Sequence, residues 1–477
     1  HLHHDWALME DYALSPGMLA MSRVWQSPDK ADLLIASKGA PEAIIDLCHL
    51  DAAQGARIQA QVAEMAEDGL RVLGVAWATF PCRDLPDQQH DFKFVFIGLV
   101  ALEDPLRPGV PAAIAECQAA GIRVVMMTGD HAATARSMAR QAGLQSDAPV
   151  ISGSELASMS DETLAARLPD THIFCRVQPE QKLRLVRAFQ ARGDVVAMTG
   201  DGVNDAPALK AANIGVAMGA RGTEVARQAA ALVLMNDDFG SLVTAVRYGR
   251  RVFANLRKAI VFVVAVHVPI IGLSMLPVLL GWPMLLMPIH ILFLQLIIDP
   301  ACSVVFEAEA LEPDAMKVPP RRADQKLFGK AVILRGLWQG AGLLLLLLGV
   351  YALARAKLPA DALRDDTARA LTFVVLVLSN LGLIHINRIW GKTAMIAVTG
   401  QPGAQRQFGW IALATVLLLG LVLEVPVISR LFSFAPLPPL WLLAAVGLAG
   451  LSLLWFEAVK QVQRRWFQLP AASARSA

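Results

Sequence analysis

The chain has 477 residues, 55% of them hydrophobic, with a net charge of +2 and a mean hydropathy of +0.46. Such apolarity excludes an ordinary soluble protein, and so small a charge gives no footing for a nucleic-acid partner. Cys48, Cys82, Cys117, Cys175 and Cys302 form no Cys-x-x-Cys pair, which argues against a zinc site or a disulfide framework and for reduced core thiols.

The chain opens on His1 rather than Met, without a signal peptide; His1, His3 and His4 read as the edge of a fragment rather than as metal ligands. Residues 1–92 read as the back part of a small α/β domain. Its strands are expected at 21–25, 32–36 and 71–77, and its helices at 41–48 and 58–68. From Phe92 the rhythm changes to strand and helix in alternation. Strands are expected at 94–101, 124–126, 173–174, 195–198 and 214–217, and helices at 110–120, 132–141 and 179–191, the last with Pro179 in its first turn. That alternation over 93–250 predicts a parallel sheet with helices on both faces.

Six apolar runs follow, at about 259–280, 284–306, 331–354, 370–387, 409–428 and 438–456, each near the ~20 residues that cross a bilayer. Domain 251–458 is therefore expected to be a six-helix membrane bundle, followed by a cytoplasmic tail at 459–477. An even count leaves both ends on one side. Arg250, Arg251, Arg257 and Lys258 before the first run, Lys317 to Lys330 after the second, and Arg464 and Arg465 after the last place that side inside, while the loop at 355–369 carries both signs.

The chemistry concentrates in Thr199-Gly-Asp-Gly-Val-Asn-Asp-Ala-Pro-Ala-Leu-Lys210, directly after an apolar strand. The end of a parallel strand is where α/β sheets do chemistry. Asp201 and Asp205 are placed to hold a divalent cation, the glycines let backbone approach a phosphate, and Asn204 can donate to it. Thr128-Gly129 likewise follows a strand and opens a helix, an anion site in outline. Lys182, in Gln178-Pro-Glu-Gln-Lys182, can neutralise charge on a transferring phosphoryl group.

The segment resembles the hinge motif of the P-type cation-transporting ATPases, and other motifs of that family occur in its order. They are Lys38-Gly-Ala-Pro-Glu42, Asp104-Pro-Leu-Arg107 and Met127-Thr-Gly-Asp130. The resemblance implies a haloacid-dehalogenase-like parallel sheet with a partial nucleotide-binding domain, followed by the membrane bundle in a bacterial-type plasma membrane. It implies ATP and Mg²⁺ as cofactors. It gives Thr128, Gly129, Asp130, Lys182, Asn204 and Asp205 to the phosphate pocket, Asp201 to Mg²⁺, and Lys38, Arg71, Asp104 and Arg107 to the nucleotide.

The family's phosphorylated aspartate lies in an Asp-Lys-Thr-Gly-Thr string, and none occurs here. The chain thus resembles the C-terminal half of a pump. Its partner would be the missing N-terminal half, and alone it is expected to be inactive. Where the family stacks adenine on an aromatic, this chain has Leu14 and Leu19, with Tyr12 as the substitute. Gly391-Lys-Thr393 lacks the first glycine of a P-loop, since position 386 is Ile386, and reads as a cytoplasmic turn.

Six helices after the catalytic domain resemble the calcium- and proton-pump classes rather than the heavy-metal pumps. Gln295 and Asp299-Pro300 stand in the second run; an ionisable group at mid-membrane is expensive, and Pro300 is expected to break the helix and release carbonyls. The first run supplies His267 in place of the expected carboxylate, so Ca²⁺ is the first transported cation and Mn²⁺ or H⁺ stay open. Glu307 is either an ion-access residue or a snorkelling acid, Ser379, Asn380 and His385 read as packing groups, and Glu424 is a weaker path candidate. Two other readings stand beside the pump: a phosphatase of the haloacid dehalogenase superfamily, which leaves the helices unexplained, and a non-catalytic, truncated or degenerate pump relative.

Overall fold

The computed structural model describes residues 5–15, 17–29, 32–81, 84–102, 105–312, 314–321, 326–359, 363–390 and 402–467, the side chains of 402–405 and 463–467 excepted. The expectations on His1, His3, His4, Cys82, Asp104, Arg464, Arg465 and 391–393 lie outside what is described. The chain divides into two compact units, residues up to 244 with 316–320, and 245–315 with 321 onward.

The first unit opens with an antiparallel sheet in sequence order: β1 (Ala7–Tyr12), β2 (Ala20–Gln26), β3 (Asp32–Gly39), β4 (Arg71–Pro81) and β5 (Val95–Leu102). Alternation on β3 buries Leu33, Ile35 and Ser37 against α1 (Pro41–Leu47) and leaves Ala36 and Lys38 outside. Gly39 is required to be glycine: a Cβ there would stand 2.5 Å from the Leu19 carbonyl oxygen. α2 (Ala52–Glu67) starts at Asp51, whose carboxylate accepts the Gln54 N–H.

The expected strand at 94–101 does not open the parallel sheet. It pairs with β4 along Arg71↔Leu102 to Trp77↔Val95 and closes the antiparallel one. An unbroken apolar run reads as a strand buried on both faces, yet β5 is an edge strand with Val95, Ile97, Val100 and Leu102 exposed.

The alternating region then contributes α3 (Val110–Ala119), β6 (Met126–Met127), α4 (Ala132–Gln141), β7 (Val150–Ser152), α5 (Gly153–Ser158), α6 (Asp161–Arg167), β8 (Ile173–Cys175), α7 (Pro179–Ala191), β9 (Ala197–Gly200), α8 (Ala206–Ala211), β10 (Ile214–Met218), α9 (Glu224–Ala229) and β11 (Leu232–Leu234). All pairings are parallel, as expected, but they form two three-stranded sheets, β6-β8-β7 and β11-β10-β9. α7 serves both: Leu185 joins the cluster that takes up Met127 and Val196, and Val186 the one under Met198. Among the described residues β6 and β9 each keep one edge without a strand.

The second unit holds six helices long and apolar enough to cross a membrane. They are α10 (Phe239–Leu279), α11 (Pro288–Pro300) continued by a π-turn at Ala301–Phe306, α12 (Lys330–Lys357), α13 (Arg364–Arg388), α14 (Pro402–Glu424) and, after the short α15 (Pro426–Leu431), α16 (Pro439–Phe467). α10 is 41 residues, about 60 Å and twice a bilayer's hydrocarbon depth, because nothing in its first twenty residues stops a helix. α13 is the buried centre, packed on α12 and α16. Gly336 and Gly340 of α12 meet α10 closely; a Cβ on Gly340 would stand 2.6 Å from the Ala265 carbonyl oxygen. Polar pairs tie the rest: Ser452 to Ser379 at 3.0 Å, and Asn387 to Gln339 at 3.0 Å.

Candidate functional site

β9 runs to Gly200, so the first two residues of the Thr199 motif belong to the strand and Asp201 is the first residue beyond it. A one-turn 3-10 helix at Val203–Asp205 folds the motif back on itself. Asp205 then lies over Gly200, where a Cβ would come within 2.6 Å of the Asp205 Cβ. The buried Asp205 carboxylate accepts the Lys182 ammonium at 2.7 Å and the N–H groups of Asp201 and Gly202 at 3.4 Å. Lys182 reaches it from the first turn of α7, whose start is fixed by Pro179 and by Gln181 accepting the Gln178 N–H. Asp205 is thus committed to organising the turn.

Asp201 is different. Its carboxylate is exposed and has no partner among the described residues; only its main chain is engaged, the N–H by Asp205 and the carbonyl by the Thr223 N–H at 2.8 Å. Asn204 is exposed, with its amide unengaged among the described residues. No group of three or more His, Cys, Asp or Glu converges among the described residues. A single open carboxylate with room around it suits a cation that keeps waters and takes oxygens from a phosphate, as Mg²⁺ does.

The second turn is closed locally. The Thr128 hydroxyl donates to the Asp130 carboxylate at 2.8 Å and accepts the Asp130 N–H at 3.1 Å, while Gly129 has nothing within 4 Å of a Cβ. His131 caps α4 by accepting the Ala133 N–H. Main-chain bonds from Arg176 to Asp130 and from Val177 to Thr128 tie this turn to the end of β8.

Arg107 does not open toward the turn that holds Asp201. Its guanidinium donates to the carbonyl of Asp237, a residue with φ of 52° whose buried carboxylate accepts the N–H groups of Ala220 and Arg221. Burial alone would raise the Asp237 pKa; the N–H groups of Ala220, Arg221 and Gly219 and the Arg107 charge outweigh it, and the net shift is downward. Asp237 and Arg107 form a clasp behind the loop that leads to Thr223 and so to Asp201. The sequence singled out Arg107 for the nucleotide and missed Asp237.

Lys38 is exposed on β3, and Arg71, at the start of β4, lies 3.8 Å from Asp130 in a mostly exposed pair. Tyr12 is not placed to stack a base. Its register opposite Ser22 turns it to the core face, where it meets Phe92 edge-on and its hydroxyl donates to Pro86. Trp77 pairs with Ala36 on the Lys38 face and is 41% exposed, so an aromatic stands diagonal to Lys38, a position that strand alternation encodes.

In the membrane unit Asp299 is exposed, Gln295 half-buried, and His267 half-buried with Nδ1 2.8 Å from the Val263 carbonyl oxygen. Pro300 does not break the helix. Lacking an N–H, it is followed by the π-turn, and the Ser303 hydroxyl donates to the Asp299 carbonyl at 2.8 Å. Asn380 is buried in α13 with neither amide atom bonded among the described residues. Sequence reasoning also missed a buried pair, Arg388 on Glu309 at 2.9 Å.

Comparison with known proteins bears on both units. The model of the cation-transporting ATPase C-terminus matches residues 283–462, and that of haloacid dehalogenase-like hydrolases matches 15–213. Calcium-transporting ATPase 1 of Bacillus cereus is 38% identical over 381 residues, 76% of this chain and 42% of that protein. The calcium-transporting ATPase of Bacillus subtilis is 31% identical over 463 residues, 94% and 51% respectively. A cation-transporting ATPase of Synechocystis is 36% identical over 423 residues, 84% and 45%. The chain spans about half the length of these curated relatives.

Proposed function

Because the chain belongs to the P-type cation-transporting ATPases, we propose that it supplies the phosphate-end machinery and six membrane helices of an ATP-driven pump that cycles through an aspartyl-phosphate and carries Ca²⁺. It is an integral membrane protein with its α/β part on the cytoplasmic side. The observation that carries the reading is the Lys182–Asp205 pair at 2.7 Å, set under a strand end beside the open Asp201.

In this reading Asp201 holds Mg²⁺, which when bound neutralises charge on the phosphoryl group. Lys182 sets a second positive charge at the strand end, and Asp205 fixes its position. Thr128 and Gly129 offer a hydroxyl and a backbone N–H to phosphate oxygens, and Lys38, Arg71 and Trp77 offer a surface for nucleotide. The acceptor carboxylate comes on a strand that this chain lacks. The edges of β6 and β9 that carry no strand support an insertion there, which would make one sheet of the two. Asp299, with Gln295 and His267, lines the cation path and needs further oxygens from helices outside this chain.

The test is ATP hydrolysis in membranes by the natural protein containing this chain. Stimulation by micromolar Ca²⁺ supports the pump; stimulation by Mn²⁺ alone, or by protons alone, moves the cargo. If the purified chain by itself cleaved a small phosphate ester, the site would belong to a hydrolase and the pump reading would fall.

A further inference from the structure

We propose, on the reading that Asp299 lines the cation path, that His290 is a positioning residue for it: His290 pins the outer half of α11 in one rotational setting and so aims Gln295 and Asp299. Because α10 starts on the cytoplasmic side, the turn at 280–287, the start of α13 and the corner between α15 and α16 fall together on the far side of the membrane. His290 is fully buried among them. Its ring lies 5.1 Å from Phe373 of α13 and 5.4 Å from Phe432 of the corner, and is stacked on Phe434 at 5.1 Å.

Both ring nitrogens are used, toward different elements. Nδ1 accepts the Met287 N–H at 2.9 Å, so it carries no proton; in the neutral ring the proton is on Nε2, which donates to the Phe432 carbonyl at 2.9 Å. The first bond caps the start of α11. The second crosses 142 positions of chain to the corner. Arg369 of α13 ties the same pieces. Its guanidinium donates to the Met284 carbonyl at 3.1 and 3.2 Å and to the Ser433 carbonyl at 2.9 Å, and Asp366 takes up its charge at 2.5 Å. The start of α11, the start of α13 and the corner are thus one clasp.

A clasp at this point sets a rotation. Gln295 and Asp299 fall about 140° and 180° round α11 from His290, so holding one face against α13 and the corner directs the other. Phe293, Leu294 and Ile297 are buried on the clasped side, but apolar contact has no direction, and the hydrogen bonds at His290 supply one. Below Asp299 the regular ladder gives way, since Pro300 has no N–H and the π-turn follows. The two polar groups therefore stand on a 13-residue segment fixed at its outer end.

Ion-stimulated ATP hydrolysis by the natural protein in membranes tests this. His290→Gln offers an acceptor and a donor at about the spacing of the ring nitrogens, and its half-saturating ion concentration should stay within about twofold of wild type. His290→Asn keeps an acceptor for the Met287 N–H but is too short for Phe432. It should raise the half-saturating ion concentration about tenfold, the worth of one lost hydrogen bond, and lower turnover at saturating ion by less than about twofold. In ¹⁵N-histidine spectra the signal that His290→Gln removes should be that of an Nε2–H tautomer, a readout that serves if His290→Asn does not fold. Equal ion dependence of His290→Asn and wild type, turnover lost as steeply as ion affinity, His290→Gln no better than His290→Asn, or a ring protonated on Nδ1 would overturn the proposal. Asp299→Asn separates the two claims. An unchanged ion dependence there removes the path, and with it anything to aim; a weakened one beside an unchanged His290→Asn removes the aiming alone.

Discussion

The turn after β9 and the polar stripe of α11 are both built around an exposed aspartate, and they stand in opposite states of assembly. Around Asp201 the second carboxylate is already paired with Lys182, and the turn is closed over Gly200. Around Asp299 there is one carbonyl engaged by Ser303 and no converging acid among the described residues. A phosphate site made by one strand end and one helix start can be completed within a short stretch of chain. A cation cage of six to eight oxygens needs several helices, and no single helix organises it.

The comparison breaks first at Asp201. Asp201→Asn in the natural protein should cut Mg²⁺-dependent ATP turnover by about a thousandfold while circular dichroism stays unchanged. Turnover near wild type would remove Asp201 from the site and leave the two regions equally unassembled. Asp299→Asn should come next, raising the ion concentration that gives half-maximal stimulation by about a hundredfold with nucleotide binding intact. An unaltered ion dependence would place the path elsewhere in the bundle.

Two smaller effects sharpen the claim that the strand-end site is pre-built. Lys182→Met leaves Asp205 buried without its partner and should destabilise the unit by about 2–3 kcal/mol, less than for a fully buried pair because the Lys182 side chain is 20% exposed. Adding Asp205→Asn should restore part of it; a double variant no more stable than the single would mean that the pair is not coupled. The smallest concerns pH. Asp237 has a folded pKa below its ordinary value, so its clasp is fully present above about pH 4 and is lost only as pH falls through the lower folded value. Hydrogen exchange at the Ala220 and Arg221 amides should therefore show no loss of protection between pH 7 and 5 once the intrinsic rate is corrected, and loss in stronger acid. Loss already at pH 6 would rule out the carboxylate as the holder of that loop.

The strand-end turns were legible because their chemistry is local: Gly200, Asp201 and Asp205 contact one another within six residues, and only the strand boundary came out two residues short. What was not legible depended on partners distant in sequence. The register with Ser22 turns Tyr12 inward, and Arg107 donates to Asp237, 130 positions away. β1 was passed over because Glu10 and Asp11 hide its period among exposed positions. The membrane runs were legible from apolarity alone, whereas the Gly336 and Gly340 spacing that lets α12 press on α10 was not read, since small residues announce contact only when their neighbour is known.

The outer face of β5 carries a consequence for the life of the molecule in a cell. Val95, Ile97, Val100 and Leu102 lie exposed on a strand whose far edge has no strand partner among the described residues, with neither lysine nor proline within the strand to guard it. Such an edge accepts strands from other molecules as readily as from its own. Copies of this chain that accumulate are therefore expected to associate first through this face.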